Sequence, residues 1–446
     1  MPPRFSATKR VRSTDSPPIP LIASWAADYD PSTNLGRPLI GMSQGVPGSP
    51  PNPSFTKRLS EVVTDPSSSK YGAILGDIAL RESLADDYKD VYGQDNPKWG
   101  DGSGAGVQVE DFAVVCGANM AFMATIMTLC EEGDEVIIPF PSYFNQTMTM
   151  TLLSVKPVLL YTQSPSFIPT VEDCRKLISP RTKAITLVTP NNPTGAIYPP
   201  ETLAEFAGLA REHSIALILD ETYRDFLPPI QTDRPDVHIR GKAHRLFDTP
   251  LWRECVISMF SFSKSYAIPG HRLGVLVADP SFLNSVSTVL DCMQINPPRP
   301  SQIALAPIMK DLRSGLIQTS LQFTKLLAVF SETLSTCPGW EVLSSGAFYA
   351  FVAHPFKGHS SLRVCEVLAK KYGVMTLPGT TFAGGSDVDD VATINGHGAA
   401  TVNGHGKVKK VKAGGQWLRF AVANVAEDQV RAVGDRLRSM KLEDLE

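Results

Sequence analysis

The sequence lacks an excess of charge of either sign. Its 446 residues include 45 aspartates and glutamates and 42 lysines and arginines, which give a formal net charge of −3 at pH 7. Proteins that bind nucleic acid or an anionic membrane usually carry a strongly basic face or domain. The balanced charge therefore argues against nucleic acid and against a membrane surface as partners. The hydrophobic fraction of 43% is that of an ordinary globular protein with sizeable cores.

The sequence also lacks paired cysteines. Its seven cysteines are dispersed along the chain, and no Cys-x-x-Cys motif occurs. An odd, scattered set predicts neither a disulfide framework nor a structural zinc site, so we expect no bound metal. The same pattern is typical of proteins from a reducing compartment, which favours the cytoplasm.

A long apolar span is absent as well. The stretch from Phe112 to Cys130 has no charged side chain and approaches the length of a membrane helix, but Gly117 and Asn119 interrupt it. A β-rich run precedes the glycine. We therefore predict a strand, a glycine turn and a buried helix rather than a membrane span.

Residues 1–37 predict a flexible, solvated tail. The first twenty residues contain no apolar segment of the kind that signal peptides have. Their arginines and serines would also suit a mitochondrial presequence. Pro17, Pro18 and Pro20, however, disfavour the amphipathic helix that a presequence forms.

The middle of the chain alternates short apolar strands with helical patterns such as Pro200–His213. This alternation predicts an α/β fold, in which helices cover both faces of a mostly parallel sheet. The last two strands have no helix between them, so we expect one edge strand to be antiparallel. The predicted strands are Ala113–Val115, Glu135–Ile138, Pro157–Tyr161, Ala184–Val188, Ile215–Leu219, Val256–Ser261 and Leu273–Ala278.

A smaller α+β unit is predicted to follow long helices that run from Ser281 to about Ser335. Residues 386–416, rich in Gly, Ala, Lys and His, interrupt this unit. Two Asn-Gly-His-Gly repeats in this segment place His397 and His405 where they could contact a metal. With no thiol nearby and no acid at a ligand spacing, a flexible surface insertion is the favoured interpretation. The predicted strands are near Trp340–Leu343, Ala347–Ala353, Val374–Leu377 and Trp417–Val422, before a final helix from about Ala426.

The strongest chemical signal is the segment from Ser261 to Gly274. Lys264 follows a predicted strand, and Arg272 comes eight positions later. A buried lysine near a second cation has a depressed pKa and can act as an amine nucleophile. Ser261, Ser263 and Arg272 are side chains that could bind a phosphate. The alternative is a surface loop with an ion-paired lysine, and this segment alone does not decide between the two.

Two polar sets follow the strands before it. Asp220 and Tyr223 come at the end of one strand, on the edge where open α/β folds bind ligands. An aspartate there can hold a proton on a pyridine nitrogen, although it could also cap the next helix. Asn192 offers an amide donor in the rigid loop 189–195, which could equally be an ordinary turn.

Two weaker signals lie further upstream. The turn Gly117-Ala118-Asn119 opens a predicted helix, whose free amide groups form an anion site. Tyr143 follows the next strand and is placed to stack on a planar ring. Either feature alone occurs in many α/β proteins.

In this order and spacing, the motifs resemble those of fold-type I, pyridoxal-phosphate-dependent enzymes of the class I and II aminotransferase family. The resemblance covers about residues 38 to 440. It implies that Lys264 forms the Schiff base with the cofactor and that Asp220 pairs with the pyridine nitrogen. It implies that Tyr223 and Asn192 donate to the ring oxygen O3′, and that Tyr143 stacks on the ring. The implied phosphate cradle consists of Ala118, Asn119, Ser261, Ser263 and Arg272.

The resemblance extends to three further residues. Arg419 matches the arginine that clamps the substrate α-carboxylate, and Gly45 and Asn192 match groups near it. Tyr71 matches a tyrosine that reaches the phosphate of the neighbouring subunit, which implies a homodimer. With the strand pattern, the resemblance predicts a large cofactor domain at 56–315. It assigns 38–55 and 316–446 to a small domain.

The implied reaction moves an amino group between an L-amino acid and a 2-oxo acid, with Lys264 as the base that moves the α-proton. No second arginine signature is present, so a dicarboxylic substrate is not implied. A carbon–sulfur (β-elimination) lyase or an enzyme similar to aminocyclopropane-carboxylate synthases would use the same catalytic residues. We favour transamination, but the sequence alone leaves these alternatives open.

Overall fold

The computed structural model describes residues 5–34, 36–93, 96–234, 237–382 and 415–446. The predicted insertion at 386–416 lies outside the described residues, except for Gly415 and Gln416. Within these ranges, no helix is both long and apolar enough to cross a membrane. Phe112–Cys130 instead forms a strand and a helix, as the glycine turn predicts.

A seven-stranded sheet forms the centre of the larger unit, in the spatial order β1-β7-β6-β5-β4-β2-β3. Its strands are β1 (Phe112–Val115), β2 (Glu135–Phe140), β3 (Lys156–Tyr161), β4 (Thr182–Val188), β5 (Ala216–Asp220), β6 (Val256–Ser261) and β7 (Gly274–Val277). All of the predicted strands of this unit are therefore present, and each of their ends lies within two residues of the predicted one.

One strand of this sheet runs against the others. Strand β7 is antiparallel to both β6 and β1, whereas the pairs β2–β3, β2–β4, β4–β5 and β5–β6 are parallel. The antiparallel strand was correctly expected, but its expected place at the edge is wrong. Strand β1, the first strand of this sheet along the chain, pairs with β7 and forms the edge. Local sequence gives no signal for a pairing between strands so far apart in the chain.

Both faces of the large sheet are buried, because successive residues of each strand enter different apolar clusters. Val114 and Ile137 belong to one core, while their neighbours Val115 and Ile138 belong to another. This arrangement explains the continuous apolar runs, since a parallel sheet buried on both faces has no polar side. The α-helices of the described residues are Lys9–Ser13, Pro18–Ala27, Pro53–Val62, Ile78–Tyr92, Ala118–Leu129, Phe144–Leu152, Val171–Arg175, Pro200–Glu212, Phe262–Ser265, Pro280–Gln294, Arg299–Leu305, Met309–Ser335, Ser361–Lys370 and Glu427–Ser439.

A four-stranded antiparallel sheet forms the smaller unit, in the order β8-β9-β11-β10. Its core includes Phe330, Phe348 and Phe420 and is separate from the cores of the large sheet. Residues Ile40–Gly41 pair with Val374–Met375, so the segment near residue 40 packs with this unit. Its strands are β8 (Glu341–Gly346), β9 (Tyr349–Ala353), β10 (Leu377–Pro378) and β11 (Trp417–Ala421).

The predicted N-terminal tail is wrong for residues 18–27, which form a helix. Pro18 is the first residue of this helix, and Pro20 lies in its first turn. Backbone N–H groups in the first turn have no partner within a helix, so prolines cost little there. Ile22 and Trp25 then anchor the helix in the core of the smaller unit.

Candidate active site

A cavity of about 270 Å³ lies where the larger and smaller units meet. One wall is the carboxyl edge of the parallel strands, where β4, β5 and β6 end at Val188, Asp220 and Ser261. Strands of the smaller unit contribute Tyr349 and Arg419. The predicted site residues that line this cavity are Gly45, Ala118, Asn119, Tyr143, Asn192, Asp220, Tyr223, Ser261, Ser263, Lys264, Arg272 and Arg419.

Lys264 lies on the short helix Phe262–Ser265, directly after β6. The Ser261 side chain caps this helix by accepting a hydrogen bond from the Ser263 amide at 3.3 Å. Burial, together with the nearby charges of Arg419 and Arg272, lowers the pKa of the Lys264 amine to about 8. The uncharged, nucleophilic amine is therefore far more populated near neutral pH than that of an ordinary lysine.

Asp220 ends β5 with its carboxylate in the cavity, so it is not simply a helix cap. Thr222 donates from its hydroxyl and its amide to Oδ1, at 2.6 and 3.1 Å, and Gln146 donates to Oδ2 at 3.0 Å. Burial raises the pKa of the Asp220 carboxyl above its usual value. A buried carboxylate held in this way is suited to pairing with a cationic ring nitrogen. The sequence does not indicate Gln146 as a site residue, because Gln146 lies 74 residues before Asp220 in the chain.

A connected set of polar groups links Asn192 to both units. Asn192 donates from Nδ2 to the Tyr223 hydroxyl at 3.2 Å and accepts at Oδ1 from Arg419 at 3.0 Å. The hydroxyls of Tyr223 and Tyr349 are 2.9 Å apart. Burial raises the pKa values of both phenols, so each stays protonated and can donate. Tyr349 was not predicted, because it lies in an apolar strand pattern that indicates only a core position.

Arg419 is almost completely buried, with an exposed fraction of 3%. One guanidinium nitrogen donates to the Ser43 carbonyl, and the Tyr349 ring centre is 4.7 Å from the guanidinium carbon. Its Nε has no hydrogen-bond partner among the described residues, and no carboxylate of those residues forms an ion pair with the guanidinium. A buried cation without an anionic partner is suited to binding a carboxylate from outside the chain.

Gly45 and Gly117 allow the backbone to approach two of these side chains closely. A Cβ at Gly45 would collide with the Tyr349 hydroxyl. A Cβ at Gly117 would collide with the Arg272 guanidinium, and the φ of +84° at Gly117 also favours glycine. Gly117 directly precedes the helix Ala118–Leu129, so the free amides of this helix lie beside a cation.

This second corner of the cavity is suited to a phosphate. Arg272 donates to the carbonyls of Cys116 and Pro269 at 3.2 and 3.0 Å, which fixes its guanidinium beside the helix start. The hydroxyls of Ser261 and Ser263 line the same cavity. A helix N-terminus, an arginine and hydroxyl groups together form a phosphate-binding set.

Tyr143 directly precedes the helix Phe144–Leu152, three residues after the end of β2. Burial raises the pKa of its phenol to about 12. Tyr71, in contrast, lies outside the cavity, and 80% of it is exposed. Tyr71 is the one predicted site residue that does not line the cavity.

Comparison with known proteins identifies the chain. The sequence model described as aminotransferase class I and II matches residues 37–437. The chain belongs to this family. An aromatic-amino-acid aminotransferase of Thermococcus litoralis is 27% identical over 78% of this chain and 87% of its own length. An aspartate aminotransferase of Pyrococcus horikoshii is 27% identical over 74% of this chain and 80% of its own length.

The fold agrees with this membership. The structure of Thermus thermophilus aspartate aminotransferase with maleate superposes with a TM-score of 0.76 at 22% identity, over 97% of this chain and 99% of that chain. The predicted α/β fold and family resemblance are thus confirmed. The chain is a pyridoxal-phosphate-dependent aminotransferase. These relatives give no support to the lyase alternative.

Proposed function

We propose that the cavity is the active site of this aminotransferase, with Lys264 as its catalytic amine. The observation that carries the proposal is that Lys264, Asp220 and Arg419 line one cavity although they come from the helix after β6, from β5 and from β11. The cofactor fits the donor set. Asp220 would pair with the ring nitrogen, Tyr223 and Asn192 would bind the ring oxygen, and Tyr143 would stack on the ring. The phosphate would bind to Ala118, Asn119, Ser261, Ser263 and Arg272.

Pyridoxal phosphate, when bound, supplies an aldehyde that joins an amine and a ring that withdraws electrons from the adjacent carbon. The chain supplies the remaining steps. Arg419, with Asn192 and the Gly45 backbone, binds the substrate carboxylate and so orients the Cα–H bond. Lys264 removes the α-proton as an uncharged amine and later returns it at another carbon. Asp220 stabilises positive charge on the ring nitrogen throughout.

We further propose that the protein works as a cytoplasmic homodimer. Tyr71 is 80% exposed and lies outside its own cavity, which supports a role in the cavity of a second subunit. Arg299 donates to the Ser67 and Lys70 carbonyls at 2.8 and 3.2 Å, so the Tyr71 segment is held in place even though it is exposed.

Replacement of the amine tests the proposal. Lys264→Ala should abolish amino-group transfer and the visible absorbance of the bound cofactor, because the described cavity wall contains no second lysine. Lys310→Ala is the control, since Lys310 is an exposed lysine on the distant helix Met309–Ser335. An active, yellow Lys264→Ala protein would contradict the assignment. Loss of activity in both variants would also contradict it.

A further inference from the structure

Tyr349 is a cavity residue to which the proposed function gives no role. It is the first residue of β9 in the smaller unit, and only 1% of it is exposed. Its side chain lines the cavity together with Tyr223 and Arg419, and its hydroxyl is 2.9 Å from the hydroxyl of Tyr223. The smaller unit therefore brings a polar group to the phenol that the larger unit offers to the cofactor.

The fold holds the Tyr349 hydroxyl in this position. Strand β9 pairs with β8 on one side and with β11 on the other, so its backbone is fixed on both edges. The Tyr349 and Tyr223 rings meet edge to face, with their centres 5.2 Å apart. The absence of a side chain at Gly45 leaves the space that the Tyr349 hydroxyl fills. The contact between the two hydroxyls is therefore a built feature of the cavity.

The neighbouring amide determines how the Tyr223 hydroxyl can bond. Arg419 donates to Oδ1 of Asn192 at 3.0 Å, which fixes the orientation of the Asn192 amide. Nδ2 of Asn192 then faces Tyr223 at 3.2 Å, and an NH₂ group can only donate. The Tyr223 oxygen therefore accepts one hydrogen bond from Asn192.

The remaining hydrogen bonds of this oxygen follow from its valence. A phenol hydroxyl donates one proton and has two lone pairs that accept. If Tyr223 gives its proton to the ring oxygen of the cofactor, it has none left for Tyr349. Tyr349 must then be the donor of the bond between the two hydroxyls. Hydrogen bonds in such a chain polarise one another, so the two bonds that Tyr223 accepts make it a stronger donor.

We propose that Tyr349 is a positioning residue for the reaction, which acts through Tyr223 by directing the proton of the Tyr223 hydroxyl to the ring oxygen of the cofactor. The inference rests on the proposed function, because it takes Tyr223 as a donor to this oxygen. The ring of Tyr349 has a separate contact, since its centre is 4.7 Å from the guanidinium carbon of Arg419. Removal of the hydroxyl alone therefore tests the proposal without removing the ring from Arg419.

The test is a pH titration of the visible absorbance of the full-length protein loaded with pyridoxal phosphate. Tyr349→Phe should move the midpoint to higher pH by a few tenths of a unit. The proton on the linkage between Lys264 and the cofactor is shared with the ring oxygen. When that oxygen accepts a weaker hydrogen bond from Tyr223, it attracts this proton more strongly, so the proton is lost at higher pH.

Two further variants separate this role from a structural one. Tyr29→Phe removes the hydroxyl of another buried tyrosine, which donates to the Arg37 carbonyl at 2.9 Å and is not among the described residues that line the cavity. It should leave the midpoint unchanged. Tyr223→Phe should raise the midpoint by itself, and the addition of Tyr349→Phe should then shift it no further, because Tyr349 acts through the hydroxyl already lost. Thermal unfolding of each variant should show an intact fold.

Three outcomes would overturn the inference while leaving the active site in place. The first is a wild-type midpoint in Tyr349→Phe, and the second is an equal shift in Tyr29→Phe. The third is a shift by Tyr349→Phe that is as large in the Tyr223→Phe protein as in the wild type, which would indicate that Tyr349 does not act through Tyr223. Failure of the proposed function would differ from all three, because the Lys264→Ala protein would then keep both its visible band and its activity.

Discussion

Burial shifts the pKa values of single residues in the cavity more than any one neighbouring charge does. Burial is the largest cause of the pKa shifts of Lys264, Asp220 and Tyr223, and it acts in opposite directions on cations and acids. It lowers the pKa of the lysine and raises those of the carboxyl and the phenol. The same enclosure that excludes water therefore prepares a nucleophilic amine, a carboxyl that readily accepts a proton, and a phenol that donates.

The pKa of Lys264 predicts how the cofactor-free protein responds to pH. The amine has a pKa of about 8 instead of 10.5, and only its uncharged form attacks an aldehyde. The rate at which the protein binds pyridoxal phosphate covalently should therefore rise with pH and level off above about 8. Stopped-flow absorbance measures this rate. Arg419→Gln removes one cation that lowers the pKa, so the midpoint should move to higher pH. A rate that keeps rising to about pH 10 in the wild type would contradict the lowered pKa.

At the scale of elements, the turn before the helix Ala118–Leu129 has little room for a side chain. Gly117→Ala should weaken cofactor binding and lower the free energy of unfolding by about 1–3 kcal/mol, because a φ of +84° is strained for alanine and the new Cβ displaces Arg272. Absorbance titration with the cofactor and urea unfolding measure the two effects.

Gly208→Ala provides the matched control for this turn. Gly208 lies inside the helix Pro200–Glu212, where a new Cβ meets no atom within 4 Å. The substitution should leave cofactor binding unchanged and raise the free energy of unfolding by about 0.5–1 kcal/mol. Cofactor binding of wild-type strength in Gly117→Ala would show that the close approach of Arg272 is unimportant.

Elements with strong local patterns were predictable from the sequence, and those that depend on distant partners were not. The helix predicted at Pro200–His213 is present and ends one residue earlier, at Glu212. It was predictable because its apolar spacing and its opening prolines are local signals. The helix Pro18–Ala27 differs from the prediction, because prolines indicate a break only beyond the first turn of a helix and these lie within it. The place of β7 in the sheet depends on its pairing with β1, about 160 residues away, for which local sequence has no signal.

At the scale of the whole molecule, the cavity exists only because two separately packed units meet. Motifs that directly follow strands predicted the wall from the larger unit, since parallel strands bring their carboxyl ends to one edge. The orientation of Arg419 in β11 and the contacts of Gln146 and Tyr349 depend on how distant elements pack. Those contacts became visible only in the structure.

The proposed dimer predicts that two inactive variants regain activity when their subunits are mixed. Tyr71→Ala and Lys264→Ala should each be nearly inactive alone, the first because the cofactor phosphate loses a partner. When the two variants are unfolded together and refolded as a mixture, about one quarter of the sites combine an intact Tyr71 with an intact Lys264. Activity should therefore return to a similar fraction of the wild-type value. A mixture as inactive as its components would contradict a role for Tyr71 in the partner's cavity.

The most direct test of the central claim is a single-turnover measurement on the wild-type protein with its cofactor bound. Amino acids are added one at a time without an oxo-acid acceptor, while absorbance and released products are followed. We expect a substrate to remove the cofactor's visible band once, with one equivalent of 2-oxo acid per site and no ammonia, and added 2-oxo acid to restore the band. A band that persists while oxo acid and ammonia accumulate over many turnovers would show an elimination reaction and contradict the account.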